Sequence, residues 1–217
     1  MYKNFFKRLI DIIVSLVALP FVLLAIIVLA PIIYLTDKGP VFYNAPRLGK
    51  NGKIFKMYKL RSMKVNSPNL LNKDGSTYNG DNDPRVTKIG RIMRKTSLDE
   101  LPQFLNVLKG DMSLIGPRAV LTTSYKGYEF LDDDRKCRNS VRPGITGYNQ
   151  AYYRNSVSSE QKLKNDVYYV NNLTFAMDVK VFFKTIVSVV KRENIYVGEA
   201  SGAQEKSAEK VEEKAEK

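Results

Sequence analysis

The sequence predicts an α+β chain, mostly helical with one small β-hairpin, held to a membrane by its N-terminal end. Three observations predict it. Ile12 to Leu35 is an uninterrupted uncharged run of 24 residues in which Ser15 is the only small polar side chain. Two β-prone runs, Val41-Phe42-Tyr43 and Ile54-Phe55-Lys56-Met57-Tyr58, flank Asn51-Gly52, a strong tight-turn signal. Beyond residue 88 the apolar positions recur mainly at helical spacing.

As a helix the apolar run would reach about 36 Å, enough for a hydrocarbon core of about 30 Å. It is too long for a cleaved leader, and no small-x-small site precedes polar sequence. Lys3, Lys7 and Arg8 flank it on one side, and Lys38, Arg47, Lys50, Lys53, Lys56 and Lys59 on the other. Positive charge at both ends conflicts with a simple span, which leaves one side poor in Lys and Arg. Pro20 and Pro31 each remove a backbone donor and crowd the preceding turn. Two forms therefore stay open: a kinked spanning helix, and a re-entrant hairpin that dips in near Pro20 and returns both basic flanks to one headgroup layer.

The β-hairpin follows at Val41–Lys59, then a long polar surface loop at 64–87, of the kind that serves as a lid or binding loop. Ile89–Lys95 is a short basic amphipathic segment, and a helix Leu98–Lys109 starts at Thr96-Ser97 and ends before Gly110. Glu160–Asn171 and Phe175–Arg192 are further helices; the second is either a core helix or one lying in the membrane interface. Residues 198–217 are Ala, Glu, Lys and Ser almost throughout and read as a disordered charged tail.

A net charge of +13 calls for an anionic partner: nucleic acid, lipid or a phosphorylated substrate. With no His, Ser-His and Cys-His catalysis are excluded, and a single cysteine, Cys137, excludes intramolecular disulfides and Cys-rich zinc sites. Chemistry falls to Asp, Glu, Lys, Tyr, Ser or Thr, and any metal should be a hard cation held by oxygen, such as Mg²⁺. Thr96-Ser97-Leu98-Asp99-Glu100-Leu101-Pro102 is the densest candidate site. Ser97 and Glu100 have capping-box spacing, which explains the acidic pair locally. The same helix start could instead hold a phosphate beside a carboxylate able to attack phosphorus, given cations nearby. Lys59, Arg61, Arg91, Arg94, Lys95, Arg118 and Arg142 are available. Gly116-Pro117-Arg118 and Arg142-Pro143-Gly144 are turns that each present one guanidinium, suited to bidentate phosphate binding. Asp166 has a solvated helix position as its plain reading. A non-enzymatic, membrane-tethered basic module for anionic lipid or nucleic acid is the alternative, although no nucleic-acid motif is present.

Together these blocks resemble the bacterial sugar transferase family, the small monotopic phosphoglycosyl transferases, over residues 3–197. The marks are Lys7-Arg8-x-x-Asp11, Gly39-Pro40-Val41-Phe42, Phe55–Met63, Thr96–Gln103, Leu108–Ser113, Gly116-Pro117-Arg118, Arg142–Gly147 and Asp166–Tyr169, in one order. The resemblance implies a UDP-sugar donor, a polyprenyl phosphate acceptor, membrane phospholipid around the chain, Mg²⁺ as cofactor, and no nucleic acid. It implies Asp99 as nucleophile, taking the phospho-sugar and releasing UMP, and Glu100 as its assistant; both would meet the metal. Lys59, Arg61, Arg118, Arg142 and Asp166 are the expected substrate-binding residues. It further implies a re-entrant membrane helix over 1–38, a catalytic domain over 39–197 with interfacial amphipathic helices, and the tail 198–217. The expected location is the cytosolic face of a bacterial inner membrane, in the first membrane step of glycoconjugate or polysaccharide synthesis. Two departures stand out: the family's Ser-Pro helix break is Leu19-Pro20 here, with Pro31 added, and Ala119 stands where the family has Pro after Gly-Pro-Arg.

Overall fold

The computed structural model describes residues 1–68, 70, 78, 80, 82–122, 125–153 and 156–191. A π-helical turn, Tyr2–Phe6, runs into α1, Lys7–Asp37. This is the predicted apolar helix, long and apolar enough to cross a membrane, with a mean hydropathy of 3.2 over its most apolar 18 residues. It continues through Pro20 and Pro31 instead of ending at the expected break. Neighbouring turns keep the helix going where each proline lacks its donor.

α1 has two faces. Lys7, Asp11, Ser15, Val22, Leu29 and Ile33 form one buried stripe from end to end, while Leu16, Val17, Phe21, Leu24, Ile27 and Val28 are exposed. The stripe is pinned at both ends. At the start, Lys7 Nζ pairs with Asp178 (2.6 Å), and Asp11 accepts from Ser113 Oγ (3.1 Å) and the Leu114 N–H (2.9 Å). Arg8 donates to the carbonyls of Val107 (2.5 Å) and Leu108 (2.9 Å), a cation at the carbonyl-rich end of α3, Gln103–Lys109. At the far end Leu29 and Ile33 pack with Leu60 and Met93, and Asp37 takes both Arg61 terminal nitrogens at 2.6 Å.

The hairpin forms, with its second strand where expected and its first at Ala45–Leu48 in place of Val41–Tyr43. Lys50–Gly52 is the turn, with Asn51 (φ 53°) and Gly52 (φ 79°) both left-handed, a conformation Asn-Gly adopts cheaply. So tight a turn sets Leu48 opposite Ile54, and the first strand is therefore β1, Ala45–Leu48, paired antiparallel with β2, Ile54–Met57. Phe42, expected within that strand, makes one isolated bridge to Leu60. β4, Val120–Leu121, joins the other edge of β1, and β3, Ser113–Ile115, pairs in parallel with β5, Gly144–Thr146.

The remaining helices are α2 (Lys88–Thr96), α4 (Asp133–Arg138), α5 (Tyr148–Tyr152), α6 (Ser159–Asn171) and α7 (Phe175–Lys191). α7 turns Val181, Thr185 and Ser188 inward and leaves Phe182, Phe183, Ile186 and Val187 exposed. One apolar cluster joins Val170 and Tyr169 of α6 to Val181, Ile115 and Val141; another joins Phe55 and Met57 of β2 to Val107, Met112 and Ala119. The predicted tail 198–217 and much of the loop 64–87 lie outside the described residues. The described ends of that loop meet where the Lys64 N–H donates to the Arg85 carbonyl (2.8 Å).

Candidate active site

Asp99 and Glu100 occupy a three-residue 3₁₀ turn, Leu98–Glu100, wedged between α2 and α3. The predicted single helix Leu98–Lys109 is thus divided at Pro102, which leads into α3. The predicted capping box does not form. Ser97 is left-handed (φ 58°) because it closes α2, and its hydroxyl caps nothing. The Glu100 N–H donates to the Ser97 carbonyl (3.1 Å), and its carboxylate turns away from the helix start toward two cations.

Lys59 is the first of these. The Leu60 N–H donates to the Asp99 carbonyl (2.9 Å), which stitches the chain after β2 to the 3₁₀ turn. The fully buried Asn106 of α3 fixes the strand's exit: its Oδ1 accepts from the Tyr58 N–H (2.8 Å) and its Nδ2 donates to the Lys56 carbonyl (2.8 Å). Lys59 Nζ consequently lies 2.8 Å from Asp99 Oδ2 and 3.2 Å from Glu100 Oε1. It hydrogen-bonds Glu100, whereas the buried Asp99 Oδ2 has the ion pair but no hydrogen bond.

Arg118 is the second cation, 3.1 Å from Glu100 Oε1. The two Gly-Pro-Arg-like turns of the sequence explain its placement. They run side by side in parallel: Ser113 N–H to the Pro143 carbonyl (2.9 Å), Gly144 N–H to Pro117 (2.9 Å) and Gly116 N–H to Thr146 (2.9 Å). A Cβ on Gly144 would fall 2.1 Å from the Gly116 nitrogen, so only glycine permits this approach. Behind Arg118, Arg138 donates from Nη2 to the Arg118 carbonyl (2.8 Å) while its Nε pairs with Asp166 Oδ2 (2.8 Å). Asn149 Nδ2 donates to the other Asp166 oxygen at 2.8 Å.

Burial alone would raise the Glu100 pKa, but Lys59 and then Arg118 outweigh it and hold the carboxyl down at about 2. Glu100 in turn raises the Arg118 pKa. Asp166 behaves oppositely, since its burial wins over Arg138 and raises its pKa.

The structure therefore gathers Asp99, Glu100, Lys59 and Arg118 into one cluster and leaves three expected substrate ligands elsewhere. Arg61 is 6% exposed and spends its guanidinium on Asp37 and on the carbonyls of Pro40, Met63 and Ile33. Arg142 donates to the Gly110 carbonyl (2.8 Å), at the opposite end of α3 from the acidic pair. Asp166, 2% exposed, holds Arg138 and reaches the cluster only through it. Arg94 of α2 donates to Ser62 Oγ (3.0 Å). Asn106 and Arg138 carry no mark in the sequence beyond a helix position and a basic run; their contacts lie 20 to 50 residues away.

The site is thus an acidic pair at a 3₁₀ turn, clasped by Lys59 and Arg118, in a chain that also carries a long apolar helix. The bacterial sugar transferase profile matches residues 2–192, and the chain belongs to that family. The chain is 39% identical over 211 residues to the undecaprenyl-phosphate galactose phosphotransferase of Salmonella typhimurium, covering 89% of this chain and 42% of that protein. It is 38% identical over 189 residues to the UDP-N-acetylgalactosamine-undecaprenyl-phosphate N-acetylgalactosaminephosphotransferase of Aeromonas hydrophila, covering 86% and 44%. This chain thus spans less than half the length of those two relatives. Against the exopolysaccharide production protein PSS of Rhizobium leguminosarum the match is 39% over 194 residues, covering 86% of this chain and 96% of that protein.

Proposed function

We propose that this chain is a phosphoglycosyl transferase, which moves a phospho-sugar from a UDP-sugar to a polyprenyl phosphate through a phospho-sugar carried on Asp99. The observation that carries the proposal is the state of the two carboxylates. Asp99 is buried, and its Oδ2 is ion-paired to Lys59 at 2.8 Å without a hydrogen bond. Glu100 is held ionised beside it by Lys59 and Arg118. The relatives' names support the donor and acceptor classes, UDP-sugar and undecaprenyl phosphate.

In the first half-reaction an Asp99 oxygen forms a bond to the sugar-bearing phosphorus. The bond from that phosphorus to the bridging oxygen breaks, and UMP leaves with the electron pair. In the second, a phosphate oxygen of the lipid attacks the same phosphorus, giving polyprenyl-diphospho-sugar and returning the Asp99 carboxylate. Lys59 lowers the repulsion between carboxylate and phosphate, and Arg118 lies where it can meet phosphoryl oxygens. Asp99 and Glu100 are the residues that would hold Mg²⁺, two hard oxygen donors adjacent in sequence of the kind that ion takes, with Lys59 giving way to it. When bound, that ion would offset charge on the transferring phosphoryl group.

The exposed apolar faces of α1 and α7 support a seat in the membrane, with Lys180, Lys184 and Lys191 suited to its headgroups. Both ends of α1 dock on the same domain, which supports the re-entrant form over a span, with both basic flanks at one headgroup layer. The experiment is intact-protein mass measurement after incubation with a UDP-sugar and no acceptor. A phospho-sugar adduct on Asp99, lost with Asp99→Asn along with UMP release, is expected; undiminished turnover by Asp99→Asn would sink the proposal. Glu100→Gln should be severely impaired in the same assay.

A further inference from the structure

Beside Arg118 lies a small cleft lined by Arg47, Met57, Gln103, Arg118, Ala119 and Gly144. Its polar side chains are two guanidiniums and one carboxamide, with no acid among the lining residues. Arg47 comes from β1, the middle strand of its three-stranded sheet, and its buried Nε has no hydrogen-bond partner. Burial and the neighbouring Arg118 charge both work against the Arg47 cation. A buried, under-bonded guanidinium facing another is costly unless an anion joins them. Forked donors from two arginines suit a phosphate's several oxygens.

We infer that Arg47 and Gln103, together with Arg118, form a seat for a phosphate monoester, used first by the nucleotide phosphate as it leaves and then by the lipid phosphate as it attacks. The inference rests on the two-step transfer proposed above. Displacement at phosphorus keeps the entering and leaving oxygens roughly in line. In the first step the Asp99 oxygen enters and the UMP oxygen leaves opposite it. In the second the lipid oxygen enters opposite the Asp99–phosphorus bond that breaks, which is the position UMP has vacated. UMP and a polyprenyl phosphate are both phosphate monoesters of the same charge, so one pair of arginines serves each in turn. Arg118, shared between this cleft and Glu100, links the seat to the reacting centre.

The test measures binding of UMP and of a water-soluble short-chain prenyl phosphate to the full chain in lipid nanodiscs, by calorimetry and mutual displacement, with no donor present. The two probes should displace each other competitively. Arg47→Met should weaken both, each on the order of ten-fold or more, and leave uridine binding unchanged. Gln103→Leu should weaken both to a smaller degree. Arg47→Lys, which keeps charge but not the fork, guards against misfolding of the Met variant and should also lose affinity for both. Simultaneous binding of the two probes, or unchanged affinity for either in both Arg47 variants, overturns the inference. Adduct mass on the parent protein separates the two claims: competition and Arg47 dependence without an Asp99 adduct support the seat while removing the covalent step.

Discussion

Replacing Lys59 by Met removes a cation that touches both carboxylates. Lys59 Nζ is 2.8 Å from Asp99 and 3.2 Å from Glu100, with side-chain exposures of 21%, 3% and 17%. At an effective dielectric of about 20 the two attractions amount to about 6 and about 5 kcal/mol, upper bounds before the cost of desolvating three charges. Removing one partner of a buried pair typically costs about 3–5 kcal/mol, because the abandoned charge stays buried. Glu100 keeps Arg118, so the loss should concentrate on Asp99. Thermal unfolding followed by tyrosine fluorescence in a fixed detergent should show Lys59→Met melting roughly 10 °C lower. Adding Asp99→Asn should restore about 2 kcal/mol or more, since the stranded charge is gone. The reasoning is refuted if Lys59→Met melts with the parent, or if Asp99→Asn destabilises the Lys59→Met background further.

Acid should act on Glu100. Its folded pKa of about 2 lies below the ordinary carboxylate value, so its ionisation stabilises the fold above pH ~4.5 and that contribution fades as pH falls toward 2. The contribution is on the order of 3 kcal/mol, and Arg118→Met should shift its loss to higher pH in unfolding curves taken between pH 3 and 7. Asp166→Asn should lower kcat/KM for UMP release on the order of ten-fold by freeing Arg138 from its place behind Arg118. The Asp166→Asn/Arg138→Gln double variant should lose little more than either single one, because the two act as a unit. Asp37→Ala should cost about 3 kcal/mol of stability by stranding Arg61, yet change single-turnover UMP release per folded molecule less than two-fold.

Local signals carried the helices and the acidic pair. The apolar run, the Asn51-Gly52 turn and the periodicity of α6 and α7 each depend on neighbours within a few residues, and each appears in the structure. β3, β4 and β5 are two or three residues long, too short for alternation to register, and they exist because partners far along the chain hold them. The same limit hid the cluster's supports. Arg47 reads as flank charge, Arg138 as part of a basic run and Asn106 as a helix polar residue until the fold brings their partners near. Arg61 is the converse case: its motif suggests phosphate, while in the structure a carboxylate 24 residues earlier holds it. Ser97 shows a spacing overruled by backbone handedness, since a left-handed residue closing one helix cannot also aim its hydroxyl into the next.

The double docking of α1 makes it a phase-locked part rather than an interchangeable tether. Arg8 grips α3 at one end and Asp37 grips Arg61 at the other, so length and rotation are fixed together. One residue inserted between them would turn the later anchor by about 100° and advance it about 1.5 Å, and no choice of apolar sequence compensates for both. A foreign hydrophobic helix of equal length could keep its apolar character and still leave the acidic pair at a different height and angle to the proposed lipid acceptor.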